Sequence, residues 1–438
     1  MIGYYNKNIW RKNIEENPKE ILRLLFDTAV DAADPMKVIP LVLPEKPSGR
    51  VVVIGAGKAS ARMAEAVESV WGACDGLVIT RYGYSRKLLG IRVVEAAHPI
   101  PDIEGLKATK EIISIVNGLG KGDFVLSLIS GGGSSLLCAP IDGLSLNDKQ
   151  AVNQALLSSG APIGSMNIVR KHLSKIKGGQ LAAYCYPAKM LNLSISDVPG
   201  DSLSDIASGV TCGENSSSKD ALEIIRRFKL EFPRNVMTAL TKKSSVVPLN
   251  DHRLKYVQNN IISAPFQSLN AARELASSKG YRVELLGDSL EGEAKEEGVK
   301  QSELALRLQA KLKVSDAPII LLSGGEFTVS NNKGGVGGPN AEFALAAAIH
   351  LNGRAGISLI CCDTDGVDGG AEVAGAVIGP RTISKAVKKG LDPLRFLMLN
   401  DSHNFFKRIG DQVVTGPTLT NVNDFRAFLI RPTERKNL

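Results

Sequence analysis

Two α/β domains with mostly parallel sheets are what this chain of 438 residues predicts. Three observations carry that expectation. Short apolar, β-branched runs alternate with segments of helical period in both halves. Many of the runs open into glycine-rich turns, which is where much of the chain's complement of 43 glycines is concentrated. The length exceeds what one hydrophobic core serves, so two or three domains are expected. A compositional change near residues 230–260, KLEFPRNVMTALTKKSSVVPLNDHRLK, marks a boundary and gives domains 1–240 and 241–438.

The elements follow in order. Residues 18–34, PKEILRLLFDTAVDAAD, space their apolar side chains as one face of a helix. Pro35, Pro40, Pro44 and Pro47 then make a connection. Val51 to Ile54 reads as a buried strand, opening into Gly55-Ala56-Gly57-Lys58-Ala59-Ser60 and a helix to about Trp71. Strands at 77–80 and 91–96 precede the turn from His98 to Asp102 and a helix over 104–116. Phe124 to Ile129 is the next strand, and a helix with its N-cap near Asn147 comes later. A strand over 190–195 leads into the polar loop SDVPGDSLSDIASG. Beyond the boundary, helices over 268–278, 291–313 and 341–350 alternate with strands over 281–286, 318–322 and 358–362. In open α/β sheets ligands bind beyond the carboxyl ends of strands, and each glycine-rich turn falls at such an end. A cleft between the two domains is the expected meeting place.

The richest of these turns is Ser130-Gly131-Gly132-Gly133-Ser134-Ser135. Three residues without Cβ let backbone N–H groups crowd around an anion, and a helix starting near Ser134 would add its positive end. We read it as an oxyanion or phosphate cradle. GAGKAS resembles two nucleotide motifs and satisfies neither. Ser60 stands where G-x-G-x-x-G needs its last glycine, and Val52 and Ala59 break the P-loop pattern. What remains is Lys58, held at a strand-to-helix turn where its charge reaches a phosphate or carboxylate. Between Asn167 and Gly179 five basic groups cluster, and Arg170 suits a planar bidentate grip. Asp197, Asp201 and Asp205, and later Asp363, Asp365 and Asp368, are placed to hold Mg²⁺ or to orient a hydroxyl. Aspartate is equally a cap and turn residue, so a structural duty stays open for both sets.

Composition narrows the class. Aromatics make up 5% and the net charge of +8 is dispersed, which disfavours nucleic acid and suits anionic metabolites. The six cysteines form no C-x-x-C pair, the N-terminal stretch has no apolar leader, and no run reaches 18 apolar residues. A cytoplasmic protein with buried thiols and no membrane partner is expected. The histidines show no metal spacing, and no G-x-S-x-G elbow points to a hydrolase.

The ordered set GAGKAS, AHPIPD, SGGGSSLL, NIVRKHLSKIKGGQLA, SDVPGD, GGPNAEFALA, DTDGVDG and TGPTLTNVNDFR resembles the class II glycerate kinases with a MOFRL C-terminal domain, over residues 18 to 431. The resemblance implies ATP-dependent phosphorylation of D-glycerate, typically at the 2-hydroxyl, with Mg²⁺ or a similar divalent cation. It implies a Rossmann-like first domain, an inter-domain active site, and small-molecule partners, with a homodimer among the allowed assemblies. Carried over by motif, the family's functional lysine falls on Lys58, the carboxylate after the SxSDV strand on Asp197 and the nucleotide loop on Ser130 to Ser135. With the local reading of the residues added, Lys58, Asp197 and Arg170 are expected in catalytic roles. Ser130 to Ser135, Lys171, Gly337, Gly338 and Asn340 take the nucleotide, and Asp197 and Asp365 the metal. Ser165, Val210 and Pro339 depart from the family pattern. Pro339 replaces an arginine whose charge Arg170, Lys171 or Lys333 would have to supply. Phosphorylation at the 3-hydroxyl, NAD(P)H-dependent reduction of hydroxypyruvate and a non-catalytic metabolite module are the alternative readings.

Overall fold

The computed structural model describes residues 17–242, 244–330 and 333–433. Residues 1–16, part of the stretch read as lacking an apolar leader, lie outside the described residues. The chain forms two compact units. One comprises Asp34–Ser263 with Leu419–Asn421, and the other comprises the residues up to Ala33, Ala264–Thr418 and those from Val422 onward.

The first unit is built on β1 (Val51–Ala56), β2 (Asp75–Arg81), β3 (Arg92–Ala96), β4 (Phe124–Ile129), β5 (Lys189–Ile195) and β6 (Val257–Ser263). They line up as β3-β2-β1-β4-β5-β6, with every pairing parallel. Buried parallel strands read as continuous apolar runs, and all six residues of β1 are buried. Val52, Ile54, Leu77, Ile79, Val125, Ile129 and Met190 pack with Ala108 and Ile112 of the helix Ile103–Val116. This is the doubly wound strand order, and it reverses between β1 and β4, where a crevice opens beyond the carboxyl ends of the strands. GAGKAS and SGGGSS leave β1 and β4 at that reversal. A satellite core joins Val152 and Leu156 of the helix Leu146–Leu157 to Val169 and Leu173 and to Ile225 and Val236. It positions the helix Ile163–His172, which carries the basic cluster.

The second unit holds β7 (Arg282–Leu285), β8 (Leu290–Glu293), β9 (Ile319–Ser323), β10 (Gly325–Thr328), β11 (Ile357–Asp363), β12 (Gly375–Ile378), β13 (Gln412–Val413) and β14 (Asp424–Ile430). Six form a sheet in the order β13-β12-β11-β14-β9-β7, and β8 pairs with β10 separately. Parallel pairings predominate over the molecule as a whole. Within this sheet only β7–β9 is parallel, and β9, β11, β12, β13 and β14 pair antiparallel. The cause is local: β11 returns as β12 through the short DTDGVDGG turn, too short for a helical crossover, and β14 inserts from the far end of the chain.

The unit boundaries depart from those read at 240. The segment with the compositional change contains the helix Arg234–Leu240 and then β6, which pairs with β5 and so belongs to the first sheet. The helix Pro18–Ala32 has Asn17 as its N-cap and Pro18 at its first position. It buries Ile21, Leu22, Leu25 and Phe26 in the core of the second unit, among Leu269, Ala272 and Phe425. The Phe26 and Phe425 rings lie 5.8 Å apart, and Lys19 and Lys385 both pair with the buried Asp411. Phe26→Ala should therefore destabilise the second unit by about 3–5 kcal/mol, read as a lower urea midpoint.

Candidate active site

The site begins with two loops tied together. The Lys58 N–H donates to the Gly131 carbonyl at 2.8 Å, and the Ser130 N–H to the Ala56 carbonyl at 3.1 Å. The Ser130 hydroxyl accepts from the Ala59 N–H at 3.0 Å. Ser60, in the place of the missing glycine, donates its hydroxyl to the carbonyls of Gly57 and Ile79. The fingerprint glycine is thus replaced by a side chain that braces the turn against β2.

Bare backbone decides what approaches next. A Cβ on Gly131 would stand 2.1 Å from Oδ2 of Asp197 and 2.2 Å from Nδ2 of Asn421, and Asn421 donates to Asp197 at 2.9 Å. Gly132 has φ +80, and a Cβ there would meet the His98 ring at 2.9 Å and the Lys58 stem at 3.4 Å. Lys58, His98, the glycine turn and Asp197 follow β1, β3, β4 and β5 respectively, so one edge of the sheet supplies them all. Among the described residues neither the Gly131 nor the Gly132 N–H finds an acceptor. Two backbone donors side by side at a positive-φ turn make an anion cradle. The expected helix behind it is a single turn, Gly133–Leu136, so the donors themselves, rather than a long helix dipole, carry the attraction.

Ser134 leads away from the cradle into a polar chain. Lys177, 1% exposed, donates to the Ser134 carbonyl at 2.6 Å and to its hydroxyl at 2.9 Å. The Ser134 hydroxyl meets that of Ser208 at 2.9 Å, and Ser208 donates to the Asn167 side-chain oxygen at 3.4 Å. Asn167 donates to Asp205 at 3.0 Å and accepts from Arg170 at 3.4 Å. In the loop after β5, Asp201, Ala207 and Ser208 hold positive φ (54, 59 and, for Ala207, 49), a conformation that costs non-glycine residues energy and collects at functional sites.

Lys171 is ion-paired with Glu214, so its charge is already matched. Gly337, Gly338, Asn340 and Asp365 belong to the second unit. There the Asp368 carboxylate accepts from the N–H groups of Asn340 (3.0 Å) and Ala341 (2.8 Å) at the start of the helix Pro339–Leu351. The Asn340 amide donates to Asp424 at 2.7 Å, and His403 reaches Asp368 at 2.9 Å. That helix end is closed by a carboxylate of the protein, which gives Asn340 a bracing duty. Pro339 sits at the first helical position, which lacks an N–H partner in any case. Asp365, fully buried, accepts from the Val367 N–H at 2.7 Å in a turn. No group of three or more His, Cys, Asp or Glu side chains is gathered for a metal among the described residues. Mg²⁺ fits such a site only as it is commonly held, by one or two carboxylates such as Asp197 with substrate phosphates and water.

Residues 21–241 match the model of a domain of unknown function, DUF4147, and residues 319–424 match that of the MOFRL family. The D-glycerate 2-kinase of Thermotoga maritima is 37% identical over 418 residues, 95% of this chain and 99% of that protein. The chain belongs to the MOFRL-type glycerate kinase family. The crystal structure of the Thermotoga maritima glycerate kinase has a TM-score of 0.82 with this family member at 36% identity, covering 94% of this chain and 99% of that one. An Agrobacterium vitis relative named "Putative hydroxypyruvate reductase" is 47% identical over 416 residues, 94% of each chain. Within this glycerate kinase architecture His98, Asn421 and Ser208 are positions to which local sequence reading gave no role, and Lys177 was read only as one member of the basic cluster. Only AHPIPD and TGPTLTNVNDFR, family motifs without an obvious chemistry, pointed at the first two.

Gly131→Ala is expected to push Asp197 and Asn421 apart and to destabilise the first unit by about 1–3 kcal/mol, the usual cost of overpacking. A urea titration compared with Gly122→Ala, where a Cβ meets nothing within 4 Å, checks it.

Proposed function

We propose that the protein transfers the γ-phosphoryl group of ATP to D-glycerate, at the 2-hydroxyl, giving 2-phosphoglycerate and ADP. The observation that carries this reading is the pair of backbone donors at Gly131 and Gly132, flanked by Lys58 and Asp197, at the strand-order reversal of a glycerate kinase family member. Phosphoryl transfer asks for positioning and charge neutralisation more than for a special nucleophile. The cradle binds phosphate oxygens through N–H groups that need no reorganisation, and the Lys58 ammonium adds a point charge beside them. Mg²⁺, when bound, would neutralise charge on the phosphates, and Asp197 is the carboxylate suited to meet it. Asp197 is equally placed in type to accept the proton as the substrate oxygen bonds to phosphorus and the bond to ADP breaks. Asn421 holds one of its oxygens, which fixes its direction.

A second reading, NAD(P)H-dependent reduction of hydroxypyruvate, is favoured by the name of the Agrobacterium vitis relative. The dinucleotide site would lie at the same reversal, with an acid at the end of β2 for the ribose. β2 ends instead in Thr80 and Arg81, and the Arg81 guanidinium lies over the Tyr84 ring at 5.0 Å. We therefore rank the kinase first.

The product of D-glycerate and MgATP, followed by ³¹P NMR, should give the 2-phosphoglycerate signal. A 3-phosphoglycerate signal overturns the regiochemistry, and loss of 340 nm absorbance with hydroxypyruvate and NADH or NADPH would favour the reductase. Lys58→Met should lower kcat/KM by at least ~10²-fold, about 2.7 kcal/mol, with little change in melting temperature. Retention of more than about a tenth of wild-type kcat/KM would make Lys58 a bystander. Asp197→Asn is expected to cost roughly 10²-fold or more in kcat, the range of general-base groups. Near-normal turnover in that variant would reassign Asp197 to loop structure.

A further inference from the structure

Two buried lysines and a partly buried arginine gather in the first unit without a carboxylate between them. Lys149 is 6% exposed and Lys177 1%, and Arg170 is partly buried. None of the three forms an ion pair among the described residues. The Lys149 ammonium donates no hydrogen bond to any described residue, and the Lys177 ammonium has only the carbonyl and hydroxyl of Ser134. Arg170 spends Nε on the Asn153 oxygen at 3.2 Å and one terminal nitrogen on Asn167. Asn153 is four residues after Lys149 on the helix Leu146–Leu157, hence on the same face, which brings Lys149 beside Arg170. The Ser134–Ser208–Asn167 chain closes the circle from Lys177 back to Arg170. Asp205, the acid of this network, is held by the Asn167 amide and pairs with none of the three.

Burying one charge without a partner is costly, and burying three of the same sign costs more through mutual repulsion. Burial and the charges of Lys149, Arg170 and Lys171 pull the proton affinity of Lys177 well below the usual lysine value of 10.5, with the Cys138 thiol opposing. Lys149 is lowered by burial and by Arg170, and Arg170 by burial alone. Lys171, the next cation along, is matched by Glu214. Lys149, Arg170 and Lys177 have no such counter-charge among the described residues.

We propose that Lys149, Arg170 and Lys177 form the subsite for the carboxylate of the hydroxy-acid substrate. A planar guanidinium matches a carboxylate edge, and two ammonium groups supply the remaining donors. The phosphates already have the Gly131 and Gly132 donors and Lys58. Ser134, which Lys177 holds, is two residues beyond Gly132, so the cluster adjoins the cradle along the chain. The assignment rests on the kinase reading for its substrate and not for its charge.

The test uses the full-length protein with Lys149→Met, which removes a charge while breaking no hydrogen bond, and Arg170→Lys as a second variant. The KM for D-glycerate should rise by about tenfold or more in each, ~1.4 kcal/mol, while the KM for ATP stays within about twofold. The melting temperature of Lys149→Met should hold or rise, because a merely structural lysine would lower it. Calorimetric titration without nucleotide should show D-glycerate binding to the wild type, weakened in both variants, and no binding of glycerol, which lacks the carboxylate. Affinity should fall as pH rises, beginning well below 10.5, since the anion favours the protonated Lys177. A raised KM for ATP with an unchanged KM for glycerate, or equal binding of glycerol and glycerate, overturns the proposal. If the wild type fails to phosphorylate glycerate, the kinase reading falls. Calorimetry with D-glycerate and with inorganic phosphate then still decides between a carboxylate subsite and a phosphate one.

Discussion

The backbone hydrogen bond from the Lys58 N–H to the Gly131 carbonyl is the shortest of three that tie together the two loops of the candidate site. It joins the loops leaving the two strands at which the strand order reverses, and it does so in a space where side chains would collide. Everything placed around it inherits that closeness. The lysine is next to the glycine turn because its own amide is spent on it, and the aspartate after β5 approaches because Gly131 presents no Cβ.

Buried positive charge is handled in two ways in this chain. In the second unit Arg426 is fully buried, paired with Asp424 at 2.9 Å, donating to the carbonyls of Gly324 and Gly325 and lying 3.9 Å from the Phe327 ring centroid. Burial raises the Asp424 carboxyl and the guanidinium opposes that rise, so the pair is settled internally. The first unit pairs Lys171 with Glu214 in the same way, but it leaves the buried Lys177 with neutral oxygens alone and the Lys149 ammonium with no acceptor among the described residues. A core cation and a ligand-facing one differ less in depth than in whether an opposite charge was supplied with it.

Much of this was readable in residue order, for a physical reason. A buried parallel strand announces itself as an apolar run, and glycines after it are local punctuation, so β1 and β4 with their loops were found within a residue or two. β6, VQNNIIS, has too many amides to read as a strand, and only pairing with β5 makes it one. β14, DFRAFLI, is broken by an arginine that turns out to be buried. The helix expected to cap near Asn147 starts two residues earlier, where Ser145 and Asp148 form a reciprocal capping box. The site divided along the same line. Lys58, Asp197 and the glycine turn sit at strand ends and were legible. Asn421 and Lys177 act through contacts across 224 and 43 residues, which no local pattern encodes.

The contribution of Leu419–Asn421 to the first unit has a consequence for the order of events on the ribosome. The six strands of the first sheet are all synthesised by Ser263, and that sheet can close while the rest of the chain is still being made. Asp197, however, lacks its Asn421 partner until 224 further residues have been added. The second unit waits longer still, since β14 is the central strand between β11 and β9. While residues 264–420 are being added, a nascent chain therefore carries a closed first sheet whose Asp197 still lacks its partner.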